Sequence, residues 1–327
     1  MKSKIYRSKL LLRLLVFTFS SIFLLTNFSI SLAQTPTPSP SATPPPTADE
    51  EILKVDTTLV SLPVSILNRD GKFIPNLKLN DFHIFENGVE QDIEYFAPIE
   101  EPFTVVLLID RSDSVSPVID DLKKAANSFI DQLRPNDRIV GVAFDRKAYI
   151  LNTKVRDRDG LKAAINNMPT GTGTRLHEIV EGIINRIFKG LTGRKALLVL
   201  TDGQDAWDWD FPKGSIQKTT PETNILLAEE TGTQVYTIQF DSNFRTKQGD
   251  KFMKDIPAKT GGKFFRADKL KDFDKVFGQI ADELRFQYSI GYYPKNTPEK
   301  GERRQIKVKV NQPEMIVRAR DSYVFAK

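Results

Sequence analysis

The apolar and polar positions of this 327-residue chain change their period twice. Between residues 52 and 98 the period is two. Val60, Leu62, Val64 and Ile66 share one face, Asp70-Gly71 marks a turn, and FHIFE follows. Asn87-Gly88 then joins FHIFE to VEQDIEYF as a tight hairpin. About four short strands result, too few to bury a core alone.

From residue 103 the pattern becomes strands alternating with helices. FTVVLLID is an unbroken apolar run, as expected of a strand buried on both faces. Val118, Leu122, Ala125, Ala126, Phe129 and Leu133 then recur at helical spacing, predicting a helix over 117–133 that Pro135 closes. RIVGVAF, KAYIL, KALLVLTD and QVYTIQF read as further strands. LKAAINNM, LHEIVEGIINRIF, TNILLAEETG, FMKDIPAKTGG and LKDFDKVFGQIADEL read as helices. This alternation predicts an α/β fold with a doubly wound, mostly parallel sheet covered by helices on both faces.

The tail returns to a period of two at Phe286, Tyr288, Ile290 and Tyr292, then at Ile306, Val308 and Val310, and MIVRARDSYV closes the chain. We expect these strands to complete the N-terminal β-piece, with the α/β region inserted between them; two separate appendages are the alternative. The expected boundaries are an N-terminal β-region at 51–101, the α/β domain at 102–284 and a C-terminal β-region at 285–327.

The first 33 residues have another character. Lys2, Lys4, Arg7, Lys9 and Arg13 precede an uncharged run that ends in Ser31, Leu32 and Ala33. This is the pattern of a secretory signal peptide, and export to a periplasmic, cell-surface or extracellular location follows from it. The competing reading is an uncleaved anchor, because residues 14–32 approach the length of a membrane span. The Pro/Thr/Ser-rich stretch at 34–50 reads as an extended linker.

The formal charge of +5 suggests a nucleic-acid binder only until its distribution is considered. The five basic residues of the first 33 account for all of the excess, and the remaining Lys and Arg balance Asp and Glu. No nucleic-acid footprint is present, and membrane contact is expected only through the N-terminal segment if it stays uncleaved. The chain has no cysteine, so it forms no disulfide and carries no lipid on a thiol.

The candidate chemistry lies at strand ends. VVLLIDRSDSV runs from an apolar strand into Asp110, Ser112 and Ser114; GTGTRL offers Thr174; and ALLVLTDGQD ends at Asp202. In open α/β sheets, ligands bind outside the carboxyl ends of the strands. Hydroxyls of Ser112, Ser114 and Thr174 could bind a hard cation directly, with Asp110 and Asp202 acting through water. Magnesium is the expected cation, with manganese or calcium as alternatives.

These segments resemble the von Willebrand factor type A domain and its metal-ion-dependent adhesion site. The family's DxSxS is matched by Asp110-Arg111-Ser112-Asp113-Ser114, its GT-x-L segment by Gly173-Thr174-Arg175-Leu176 and its TDG segment by Thr201-Asp202-Gly203. The flanks NRDGKFIPNLKLNDFHIFENGVEQDIEYF and ELRFQYSIGYYP are similar to exported von Willebrand A-related proteins first described from Acidobacteria. Asp113 and Val115 depart from the family's usual residues, and TGTGT replaces a Gly-Gly-Thr run, which leaves Thr172 as a substitute for Thr174.

The resemblance implies a metal-dependent adhesion or protein-binding module. A partner protein or glycan would present an acidic group that completes the cation's shell. The alternatives are a structural envelope protein with a stabilising metal, or a hydrolase or phosphotransferase using Asp110 or Ser112. Catalysis is not expected, because no G-x-S-x-G elbow exists and His177 is the only candidate base in the α/β region. His177 itself reads as a surface or packing residue, and His83 has no assigned role. Trp207 and Trp209 follow Asp202 and are candidate partner-binding anchors, or else a local hydrophobic plug.

Overall fold

The computed structural model describes residues 59–97, 102–188, 191, 194–205, 219–240, 246–267 and 270–325, without the side chains of 270 and 271. The expected signal and linker, and Trp207 and Trp209, lie outside the described residues.

One-sided alternation makes the first strands. β1 (Val60–Leu67) buries Val60, Leu62, Val64 and Ile66. β2 (Phe82–Glu86) meets β3 (Val89–Gln91) through Asn87 and Gly88, at φ 47° and 85°. Positive φ at both turn positions is what a two-residue hairpin requires. The expected strand VEQDIEYF is not continuous: it breaks at Asp92, and β4 (Ile93–Ala97) joins a different sheet.

The α/β region follows. Its strands are β5 (Thr104–Asp110), β6 (Arg138–Phe144), β7 (Ala148–Ile150), β8 (Lys195–Thr201), β9 (Gln234–Gln239) and β10 (Phe264–Arg266). They form one sheet in the order β10-β9-β8-β5-β6-β7, parallel except for β7 at the edge. The helices are α1 (Ile119–Gln132), α2 (Arg158–Asn166), α3 (Leu176–Arg186), α4 (Pro221–Glu230), α5 (Lys247–Thr260) and α6 (Leu270–Arg285).

Two cores explain the unbroken apolar runs. Val105, Leu107 and Ile109 of β5 pack with residues of α1, α2 and α6, whereas Val106 and Leu108 pack with residues of α3, α4 and α5. The expected start of α1 at 117 moves to 119, because a 3-10 turn over Asp113–Val118 precedes it and contains Pro117.

The remaining strands are β11 (Gln287–Tyr292), β12 (Arg303–Val310), β13 (Ile316–Arg318) and β14 (Ser322–Val324). They join the N-terminal strands in two four-stranded sheets, β13-β1-β11-β4 and β14-β12-β2-β3. Leu62, Val64, Ile66, Ile84, Tyr288 and Ile290 share the core of this piece. The α/β region is therefore inserted between β4 and β11, and neither flank stands as a separate appendage.

Ion pairs to buried acids fasten the two parts together. Arg303 forks onto Glu229 of α4 at 2.5 and 2.8 Å. Arg318 of β13 meets Glu283 of α6 at 3.0 Å.

Candidate functional site

Asp110 ends the central strand β5 and has no solvent exposure. One carboxylate oxygen accepts from the Ser112 amide at 2.9 Å, and the other accepts from the Thr201 hydroxyl at 2.6 Å. Asp202, one residue beyond β8, is held by the Gln204 amide and by its side-chain Nε2, each at 3.1 Å. Both carboxylates are thus oriented by groups of the chain itself. The Ser112 and Ser114 hydroxyls stand 3.0 Å apart beside them.

The third segment reaches this edge through its backbone. The Gly171 amide donates to the Arg111 carbonyl at 2.6 Å, and the Gly173 amide to the Asp113 carboxylate at 3.1 Å. A Cβ on Gly171 would overlap the Asp145 carboxylate, and Gly173 sits at φ 66° with the Arg146 side chain against it. Glycine is needed at both positions because the loop lies flat on its neighbours. Thr174 is buried and Thr172 is exposed.

Several contributors escaped the sequence reading. Thr201 orients Asp110, and Asp145 pairs with Arg111 at 3.2 Å while its carbonyl accepts from the Arg175 amide at 3.1 Å. Asp205 accepts from the His177 amide at 2.9 Å and so ties the start of α3 to the β8 loop. One signal was available: Thr201 follows the buried apolar run 196–200 at the end of β8, a position that calls for a hydrogen-bond partner.

His177 is buried, with its ring edge-on to Phe252 at 4.6 Å. It is a packing residue in this fold. His83 lies elsewhere, on β2, between Glu90 at 2.7 Å and Asn311 at 2.9 Å.

Burial, and then the charge of Asp202, push the Asp110 carboxyl up to about 7, against the hydrogen bonds from Ser112 and Thr201. Two buried acids that repel each other are relieved by a cation between them. The donors are hydroxyl and carboxylate oxygens, and among the described residues no group of three or more His, Cys, Asp or Glu is placed to hold a metal ion. Such a donor set fits a hard divalent ion.

Residues 104–279 match the family model described as the von Willebrand factor type A domain. An uncharacterized protein of Synechocystis sp. is 32% identical over 108 residues, covering 32% of this chain and 26% of the relative. The chain spans between 26% and 65% of the length of the curated relatives it matches. Among solved structures, the von Willebrand factor type A protein from Catenulispora acidiphila is 11% identical with a TM-score of 0.48, covering 83% of this chain and 75% of that one. A matrix protein of the mussel byssus, whose MIDAS motif is occupied by zinc, is 16% identical with a TM-score of 0.47, covering 60% of this chain and 48% of that one.

Proposed function

The chain belongs to the von Willebrand factor type A domain family, and from that premise we propose that it is an exported, metal-dependent adhesion or protein-binding module. Domains of this family often mediate protein–protein interaction or metal-dependent binding. The observation that carries the proposal is the division of labour at the β5–β8 edge. The Asp110 and Asp202 carboxylates are engaged by Thr201, Ser112 and Gln204, while Ser112 and Ser114 bring two hydroxyls together beside them.

Ser112, Ser114 and Thr174 would hold the cation directly, and Asp110 and Asp202 would act through water. Magnesium is the proposed ion, with manganese and calcium as alternatives. An inner shell of neutral hydroxyls leaves the ion electrophilic, so it would accept a carboxylate from a partner protein or glycan. Export rests on the signal-like residues 1–33. Among the described residues no helix is long and apolar enough to cross a membrane.

Binding rather than catalysis is the proposed mode, and what supports it is that His177 is buried with its ring edge-on to Phe252. Titration calorimetry with magnesium, followed by capture from an envelope extract with and without chelator, tests the reading. Magnesium binding and chelator-sensitive capture, both lost in Asp110→Ala, support it. Capture that persists unchanged in chelator and in the variant overturns it. Magnesium that raises the melting temperature but recruits nothing favours a structural role.

A further inference from the structure

A cavity lies on the β-sandwich, away from the β5–β8 edge. It has a volume of about 680 Å³ and is lined by Lys259, Arg303, Gln305, Lys307, Lys309 and Phe85, among others. Its floor is the outer face of β12, where Arg303, Gln305, Lys307 and Lys309 alternate outward while Arg304 and Ile306 point into the core. Lys259, near the end of α5, contributes from a second element.

The cations differ in their engagement. Arg303 is committed to Glu229, and Asp321, the acid that lines the cleft, is met by Lys259 at 3.3 Å. Lys307 and Lys309 form no ion pair among the described residues. Lys309 lies over the Phe85 ring at 4.7 Å, which holds its ammonium in place. Glu90, the nearest acid on β3, is engaged by His83. With about 3.4 Å per residue along a strand, the two lysines stand about 7 Å apart on one face. The Gln305 amide lies beside them on the same face.

We propose that this cleft binds an acidic polysaccharide independently of the metal. A chain that carries carboxylates and hydroxyls together matches a floor on which the Gln305 amide adjoins the Lys307 and Lys309 ammonium groups. A volume of this size accommodates a few sugar residues. The concave shape suits a chain better than a bilayer surface. The even charge balance beyond the first 33 residues lacks the broad basic footprint of a nucleic-acid binder.

The cleft is separate from the candidate metal site. α5 touches the Asp202-Gly203 turn through Gly249 and reaches the cleft at Lys259. Ten helical residues put about 15 Å between those contacts. A protein with both sites would bridge a glycan matrix and a metal-dependent partner.

The test is calorimetric binding of an oligomannuronate to the full chain in chelator, with a neutral mannan oligosaccharide, single-stranded DNA and phosphatidylglycerol vesicles as comparisons. The expected results are binding in chelator, no change in Asp110→Ala, and at least tenfold weakening in Lys307→Gln/Lys309→Gln with an unchanged melting temperature. Should the double variant unfold, Lys259→Gln on α5 must weaken binding at least threefold. Absence of binding, loss in chelator, unchanged affinity in a folded double variant, or tighter binding to DNA or vesicles each overturns the proposal. Because the expected binding survives chelator and Asp110→Ala, this test does not depend on the metal reading.

Discussion

Thr201 donates its hydroxyl to Asp110 at 2.6 Å, across the two central strands of the α/β sheet. Its other role is to accept from the Gly203 amide at 3.0 Å, so one hydroxyl orients Asp110 and shapes the turn that carries Asp202. Thr201→Val keeps the shape of the side chain and removes both hydrogen bonds. We expect magnesium affinity to fall about 10–100-fold, as for other groups that orient metal ligands. Calorimetry checks this; affinity within twofold of the parent would show that Asp110 holds its orientation unaided.

The metal-free protein should lose stability as pH rises. The Asp110 carboxyl titrates near 7 when folded, against 3.8 as its ordinary value. The folded state therefore binds the proton more tightly, and its stabilising effect is full below about 4 and lost as pH climbs through about 7. Magnesium should restore stability at the upper end of that window, because the ionised acid then faces a cation. Melting temperatures in chelator and in magnesium between pH 4 and 8 test this. A chelator curve that stays flat or rises across the window contradicts the sign.

Two glycines separate close packing from open helix surface. A Cβ on Gly249 would overlap the Gly203 carbonyl and push α5 away from the Asp202 turn. Gly249→Ala should cost about 1–3 kcal/mol and weaken metal binding as well. Gly182 in α3 faces open space where a methyl group would project. Gly182→Ala should instead stabilise the protein by about 0.5–1 kcal/mol through helix propensity. Denaturant unfolding of the two variants measures both, and changes of the same sign would sink the distinction.

The β-sandwich contains its own polar centre. Buried Glu86 accepts from Arg304 at 2.6 Å, from the Tyr292 hydroxyl at 2.6 Å and from the Tyr323 hydroxyl at 2.9 Å. Arg304→Met leaves that carboxylate without its cation in a place water does not reach. Removing one partner of a buried pair costs about 3–5 kcal/mol. We expect a loss of that order in urea unfolding, and a loss under about 1 kcal/mol would mean that the two tyrosines suffice.

Much of this protein was legible in local order. The period-two flanks, the apolar runs of β5, β8 and β9, and the oxygen-bearing residues at strand ends are carried by neighbouring positions, because side-chain direction repeats every two residues in a strand and every 3.6 in a helix. That order determined the α/β class and the grouping of Asp110, Ser112, Ser114, Thr174 and Asp202 as candidates, while the insertion of that region into a β-piece stood against two separate appendages until the strands paired. Pairing across the chain decided the rest. VEQDIEYF divides at Asp92 and MIVRARDSYV divides into β13 and β14, because each half finds its partner in a different sheet. Thr174 rather than Thr172 is buried because the Gly171 and Gly173 amides dock on the Arg111–Asp113 loop. Thr201 lies 91 residues from Asp110 and Arg304 lies 218 from Glu86, and only burial beside those partners gives each acid its environment.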